Sequence, residues 1–313
     1  MTTTERVAYV NGALIPESKA VISVHDKGFI YGDAIFDTLR TFGGKVFRMK
    51  EHIDRLFETL TYVRIDCGMT PDGMTDVVNR VVDVNAAALR EGEDWWVTIR
   101  VSGGVMGFDG EPPLQEGPTV VVECVPLPLR ARARFFTEGA PLAISHRPRI
   151  DPKALSPNAK TNNYMNMMLA QREIDAIAPG NWALMPDRNG NLAEGPGCNL
   201  FIVKNGTVIT PTEEFILAGV SRAEVISICR EKGIPVIERD VSVHAAMTAD
   251  EAFLTSTSLC VCPVRSIDGH TFPGGAPGAV TQQLMDAFSE RANYDYVAQY
   301  LRFLGNEEAK TGL

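Results

Sequence analysis

The sequence predicts an α+β fold in two domains. Three observations carry this: strands pair as hairpins in both halves, helices are interspersed rather than strictly alternating with strands, and 313 residues suffice for two cores. Residues 1–126 read as a small N-terminal α/β domain and residues 138–313 as a larger domain. Between them, residues 127–137 pass from prolines to Arg130, Arg132 and Arg134 at alternate positions. That composition reads as a linker with solvated arginines.

The elements follow in order. Val7–Val10, the turn Asn11-Gly12 and Ala13–Ile15 predict a hairpin. Val21–Val24 reads as a strand running into the glycine-punctuated loop His25–Asp33. Ile35–Phe42, Gly43-Gly44 and Lys45–Arg48 predict a second hairpin. Over Glu51–Val63, the residues His52, Leu56, Thr59, Leu60 and Val63 fall on one helical face. Arg55 lies on that face or its edge, so it needs either a buried anion or a path for its head to solvent. Pro71 opens a further helix reaching Glu91, and Trp95–Val101 and Pro118–Pro126 read as buried strands. Ser102–Gly117 between them holds four glycines besides Gly117 and two prolines, the make-up of a surface loop over a pocket.

Ser156-Pro157-Asn158 is a turn, and Lys160–Ala170 then reads as a helix with Met165, Met168 and Leu169 as its core face. Lys160 and Tyr164, four apart, would share a face one turn from each other. A lysine at a helix start runs against the helix dipole. It is either solvated or held by an anionic or covalent partner. Trp182–Pro186, a turn at Asn189-Gly190 and the hairpin Leu200–Val203, Asn205-Gly206, Thr207–Thr210 follow. Ser221–Gly233 predicts a helix opened by the capping box Ser221-x-x-Glu224. Glu251–Thr255 is a short buried strand ending in consecutive hydroxyl residues, Thr255 to Ser258. Leu284, Phe288, Tyr296, Tyr300 and Leu304 predict a last helix over residues 279–304.

A net charge of −9 argues against nucleic acid or an anionic membrane as the main partner, though a local site for a small anion remains compatible with it. No stretch of about 18 apolar residues exists to span a membrane. The opening Met-Thr-Thr-Thr-Glu-Arg has no apolar core, so no signal peptide is expected. The six cysteines are scattered, with Cys260 and Cys262 the one close pair; free thiols in a reducing cytoplasm are expected. No Cys/His cluster predicts a metal.

Several anion-binding pieces gather instead. Gly219-Val220-Ser221 leads into a helix start, Thr255–Ser258 offers hydroxyls and amides at a strand end, and Arg55 supplies a fixed charge. With Lys160 and the lone acid Glu194 in a glycine-rich loop, they suggest pyridoxal phosphate, which needs a lysine, a phosphate cup and a partner for its pyridine nitrogen.

Over most of the chain, from about Val21 to Ile267, ordered segments resemble fold-type IV, or class IV, aminotransferases of the branched-chain group. They are Asp26-x-Gly-Phe-x-Tyr-Gly-Asp33 with Phe36 and Arg40, His52-Ile-Asp-Arg55-Leu56, Lys160-x-x-Asn-Tyr164, and Glu194-Gly-x-x-x-Asn199-Leu-Phe201. Ile216-Leu-x-Gly-Val-Ser-Arg222 and Glu251-Ala-Phe-Leu-Thr-Ser-Thr257 complete the set. The resemblance implies a larger domain with a barrel-like β core and pyridoxal 5′-phosphate as cofactor. It implies Lys160 as the covalent and proton-moving lysine, Glu194 on the pyridine nitrogen and Tyr164 on the ring hydroxyl. Arg55, Val220, Ser221 and Thr257 would hold the phosphate, and Leu217 would pack on the ring. Tyr31, Phe36, Arg40, Trp96, Thr257 and Ser258 would serve the substrate, with Tyr31 from the partner of a homodimer.

The resemblance also implies ping-pong transfer between an amine donor and a 2-oxo acid. Among donors a branched-chain-like L-amino acid comes first. A D-amino acid or an (R)-amine comes second, and the elimination chemistry of aminodeoxychorismate lyase third. The tyrosine-x-arginine usual on the branched-chain enzymes' strand is absent from Trp95–Arg100. The arginine-x-histidine of the D-amino acid enzymes is absent from the loop after it. The loop's sequence and Arg40 lean toward the branched-chain group, while paired tryptophans at 95 and 96 would suit an apolar pocket for an (R)-amine.

Overall fold

The computed structural model describes residues 5–304; the opening Met-Thr-Thr-Thr read above for leader character lies outside them. The chain divides into two compact units.

The first unit runs to Leu127 and also takes Ala159–Asn163. Its strands are β1 (Val7–Val10), β2 (Ala13–Pro16), β3 (Ala34–Phe42), β4 (Lys45–Val46), β5 (Trp95–Ser102) and β6 (Thr119–Pro126). They form one antiparallel sheet in the order β2-β1-β6-β5-β3-β4. Its helices are α1 (Lys27–Tyr31), α2 (Met49–Val63) and α3 (Pro71–Asn85). Alternate residues of the central strands, among them Ile35, Leu39, Val97, Ile99 and Val122, share one core with Ile53, Leu56, Leu60, Val78 and Val81 of α2 and α3. Thr70 caps α3 by accepting from Gly73 N at 3.1 Å, and Pro71 sits where a missing N–H costs nothing.

The second unit carries β7 (Ala140–Ile144), β8 (Trp182–Pro186), β9 (Asn191–Gly195), β10 (Cys198–Lys204), β11 (Thr207–Thr210), β12 (Val236–Glu238), β13 (Val241–Ser242), β14 (Glu251–Ser256), β15 (Cys260–Ile267) and β16 (His270–Thr271). Six of these close a barrel in the order β10-β14-β15-β7-β8-β9, since β9 pairs back onto β10. The barrel-like β core expected from the resemblance is present. Its helices are α4 (Leu129–Arg132), α5 (Phe135–Glu138), α6 (Met165–Ile177), α7 (Val220–Lys232), α8 (Val243–Met247), α9 (Ala279–Ala292) and α10 (Tyr296–Leu301). Glu251, on β14, caps α9: its carboxylate accepts from Val280 N at 3.0 Å and Thr281 N at 2.8 Å.

Five local expectations are corrected. Val21–Val24 is irregular and largely exposed, because nothing pairs with it among the described residues. Residues 127–137 fold into α4 and most of α5, whose Leu129, Phe135 and Phe136 are buried, so apolar side chains anchor what was expected to be a linker. The helix after Lys160 begins only at Met165 and buries Met167, Ala170, Gln171 and Ile174, leaving Met165 exposed; the face that packs against Ala143, Ala183 and Met185 lies two positions on from the one expected. α7 starts at Val220 with Gly219 as N-cap, so Ser221 lies inside the helix and no capping box forms. The last helix is broken at Asn293, whose left-handed φ of 48° ends α9 before α10 begins.

All six cysteines are free and buried. Burial pushes the Cys198 and Cys124 thiols up to about 12, where almost no thiolate exists near neutrality. Titration of the native protein with a thiol-selective reagent at pH 8 is therefore expected to label none of them on the minute scale. Labelling in denaturant should reach all six; fast labelling of the folded protein would contradict the burial.

Candidate active site

In the first unit, Arg55 has the buried anion that its position on α2 demanded. Asp37 alternates with Ile35 and Leu39 on β3 and is wholly buried beneath α2. Arg55 Nε donates to Asp37 Oδ2 at 2.8 Å and Nη2 to Oδ1 at 2.9 Å, a two-pronged pair. His52, one turn earlier, places Nδ1 2.7 Å from Asp37 Oδ1. Burial alone would raise the Asp37 carboxyl, but Arg55 and His52 outweigh it and hold its pKa well below the usual carboxylate range. Burial lowers the His52 pKa, helped by the Arg55 and Lys160 charges and opposed by Asp37. Because Arg55 already compensates Asp37, His52 stays neutral and donates Nδ1–H.

Lys160 lies beside this cluster on an extended segment rather than a helix. Phe36 N donates to Lys160 O at 2.9 Å and Asn162 N to Ala34 O at 2.8 Å, so residues 160–162 pair with the edge of β3. Lys160 N donates to Thr59 Oγ1 of α2 at 3.3 Å, and its Nζ stands 4.4 Å from the Phe36 ring centroid. The lysine's place is thus set by backbone pairing, and Tyr164, expected on its helical face, instead precedes α6 in the second unit.

The other first-unit candidates disperse. Arg40 is Cα partner to Trp96 across β3 and β5, buried, with its guanidinium 4.0 Å from the Phe42 ring. Phe36 pairs with Arg100, which reaches Glu123. Tyr31 ends α1 and is 64% exposed. Trp95 is fully buried in the core, so the two tryptophans cannot both line a pocket.

In the second unit Glu194, at the end of β9, is 2% exposed. Its Oε1 accepts from Arg149 Nε at 2.8 Å; its Oε2 accepts from Asn199 Nδ2 at 3.2 Å and Leu217 N at 3.0 Å. Asn199 Nδ2 also donates to Leu217 O at 3.0 Å, tying β10 to the loop before α7. Gly219 in that loop has no room for a side chain: a Cβ would stand 2.1 Å from Asn199 Oδ1. Val220 and Ser221 are then the first two residues of α7, and among the described residues no side chain caps its amides. Thr255 is Cα partner to Asn199, itself partner to Glu194, so the three side chains share one face of the barrel. Thr255 Oγ1 is buried there without a hydrogen-bond partner among the described residues. Thr257 follows in the turn after β14, half-buried, and Ser258 beside it is buried.

The family comparison fits this chemistry. The family described as amino-transferase class IV matches residues 34–267. This chain belongs to that family. A putative branched-chain-amino-acid aminotransferase of Methanocaldococcus jannaschii is 34% identical over 90% of this chain and 95% of its own length. A D-alanine aminotransferase of Bacillus licheniformis is 28% identical over 88% and 94%. The branched-chain amino acid aminotransferase from Thermobaculum terrenum, solved in its PLP form, superposes with a TM-score of 0.80 at 27% identity, covering 96% of this chain and 98% of that one. The chain is therefore a transaminase, and class IV aminotransferases use pyridoxal phosphate.

The residues present fit that group. A compensated acid, an uncapped helix start and an orphaned hydroxyl stand in one unit, and a lysine with an acid-braced arginine in the other. The sequence left Asp37, Arg149 and Asn199 without roles. Asp37 was detectable as the single acid alternating with apolar residues on β3; Arg149, 45 positions before Glu194, carried no local signal.

Asp37→Asn leaves Arg55 buried without its counter-charge and is expected to lower stability by about 3 kcal/mol, read from denaturant midpoints. The Asp37 pKa is lowered on folding, so its contribution is present above the unfolded value of about 3.9 and lost as pH falls below it. The His52 pKa is also lowered, so acidification through about 6.5 protonates the unfolded chain first and weakens the fold. Comparing pH 7.5 with pH 5.5, His52→Gln should lose less stability than the wild type; equal losses would mean that His52 is charged in the fold.

Proposed function

We propose that this transaminase moves the amino group of a branched-chain-like L-amino acid to a 2-oxo acid, in two half-reactions, as a cytoplasmic homodimer. The observation that carries the site assignment is Glu194: an acid buried with Arg149 behind it is suited to hold a proton on a pyridine nitrogen. Pyridoxal phosphate, when bound, supplies the carbonyl that takes the amino group and the ring that spreads the charge left at the substrate's α-carbon. Lys160 would hold the group and would carry the proton taken from the substrate's α-carbon. Arg55 and the Val220 and Ser221 amides would hold its phosphate, with Thr257 beside them. Tyr164 would hold the ring hydroxyl, and Leu217 would pack on the ring. Tyr31, Phe36, Arg40, Trp96, Thr257 and Ser258 line or hold the substrate.

The branched-chain preference is supported by the Methanocaldococcus relative's name and by the Ser102–Gly117 loop. That loop holds no cation and three acids, Asp109, Glu111 and Glu116, which disfavours a carboxylate at the position where D-amino acid enzymes use arginine-x-histidine. The burial of Trp95 weakens the (R)-amine alternative. For the dimer, Val21, Ile22, Val24, Phe29, Ile30 and Tyr31 form an exposed apolar run, the kind of surface that a second copy covers. The free thiols fit a reducing compartment.

A rapid-mixing panel of L-leucine, D-alanine, L-glutamate and (R)-1-phenylethylamine tests the donor. L-leucine is expected to bleach the cofactor's visible band at least tenfold faster than D-alanine or the (R)-amine, and the reverse order would overturn the substrate assignment. Lys160→Ala should abolish turnover and shift the band; retention of full activity would remove Lys160 from the chemistry.

A further inference from the structure

Asp26, the first acid of the segment that runs through Tyr31 to Asp33, is only 2% exposed and takes donors from three elements. Its Oδ1 caps α1 by accepting from Gly28 N at 2.8 Å. Its Oδ2 accepts from Ser102 Oγ at 2.8 Å and from Thr119 Oγ1 at 2.6 Å. Ser102 ends β5 and Thr119 opens β6, and the two are Cα partners. Their hydroxyls therefore stand at the mouth of the Ser102–Gly117 loop.

Both hydroxyls also accept from the loop itself. Gly104 N donates to Ser102 Oγ at 3.1 Å, and Gln115 Nε2 donates to Thr119 Oγ1 at 3.4 Å. Each end of the loop thus reaches the same carboxylate oxygen through one hydroxyl. Chains of this kind polarise one another, so each link strengthens the next. The two ends are pressed together as well, since a Cβ on Gly104 would stand 2.0 Å from Gly117 O.

The loop and α1 share backbone bonds too. Lys27 N donates to Gly104 O at 2.9 Å, Met106 N to His25 O at 3.0 Å and Gly103 N to Asp33 O at 2.9 Å. Gly28 is closed to any side chain: a Cβ would stand 2.9 Å from Ser102 Cβ and 3.0 Å from Ala34 Cβ. Phe29 and Tyr31 of the same short helix are exposed. An outward-facing aromatic turn is thus seated on a buried acid that also holds both ends of the loop.

We propose that Asp26 is a positioning residue for substrate selection: it joins α1 and the Ser102–Gly117 loop into one body, so that Tyr31 and the loop present a single fixed surface to the donor's side chain. The inference rests on the substrate roles given above to Tyr31 and to the loop. Its loss should cost discrimination between donors rather than chemistry, because Asp26 bonds to neither Lys160 nor Glu194.

Hydrogen exchange of the cofactor-loaded enzyme reads the coupling without turnover. Asp26→Ser keeps a cap for α1 but is too short to reach both hydroxyls. Thr119→Val removes only the Gln115 arm, at nearly equal volume. Each is expected to speed exchange about threefold or more in residues 104–117 and also in residues 27–32. If Thr119→Val loosens the loop alone and leaves residues 27–32 unchanged, the coupling is overturned. Steady-state kinetics reads the consequence. In Asp26→Ser the ratio of kcat/KM for L-leucine to that for L-alanine is expected to fall about fivefold or more, through KM, with kcat for L-leucine and the visible band little changed. Asp26→Asn, which keeps the length and can donate to both hydroxyls, should fall between the two. Adding Thr119→Val to Asp26→Ser should change the ratio little, because the arm it removes is already cut. An unchanged ratio, or equal losses for both donors, would mean that the acid serves only the fold and would overturn the proposal. If Asp26→Ser does not fold, Thr119→Val decides alone: a lowered ratio supports the proposal and an unchanged one overturns it. A wild type that turns over neither donor sinks the substrate reading, and the selective role of Asp26 with it, whatever the exchange shows.

Discussion

A carboxylate cannot be buried alone, and the second unit is arranged around that constraint at Glu194. Removing the charge from water costs several kcal/mol unless donors replace the lost hydration. Three donors converge from three places: Arg149 from the chain after β7, Asn199 from β10 and the Leu217 amide from the loop before α7. Each contact fixes more than the acid. Asn199 also binds Leu217 O and stands against Gly219, so the loop that opens α7 is positioned by the same amide that serves Glu194. The helix start and the acid are therefore set by one strand, and a shift of either would disturb the other.

The first unit solves the same electrostatic problem with the roles exchanged. There the residue assigned to the cofactor is the cation, Arg55, and its hidden support is the acid, Asp37, with neutral His52 filling a further acceptor site. In both units a buried pair leaves one charged partner oriented by a residue whose own side chain faces away from water. Such pairs contribute modest net stability and considerable orientation, which is what a site for a charged cofactor requires.

Much of this was legible in the sequence, and the failures share a cause. Hairpins marked by Asn11-Gly12 and Asn205-Gly206 formed as read, because a two-residue turn with positive φ is a local property. The helix from Met49 buried His52, Leu56, Thr59 and Leu60, because its periodicity was unbroken. Lys160 was misplaced onto a helix because its geometry is decided by pairing with Ala34–Phe36, far away in the chain. Ser221 looked like a cap because its neighbours matched a local pattern; the closeness of Gly219 to Asn199 is a tertiary fact. Arg132 was read as solvated because alternating arginines look so until a distant Ser258 and Trp182 are brought beside one of them. Motifs named the candidate residues, and long-range pairing decided where the structure puts them.

The lysine's segment has a consequence for modularity. Ala159–Asn163 belongs by contacts to the first unit, yet the residues on both sides belong to the second. Cutting the gene after Leu127 would yield a fragment without those five residues, with the backbone groups of Ala34 and Phe36 unpaired along an open strand edge prone to sticking to other chains. The two units are thus sewn together through the lysine itself. Neither can be exchanged with a foreign module by a single crossover, so recombination that keeps Lys160 in its pairing with β3 must carry the chain across as one piece.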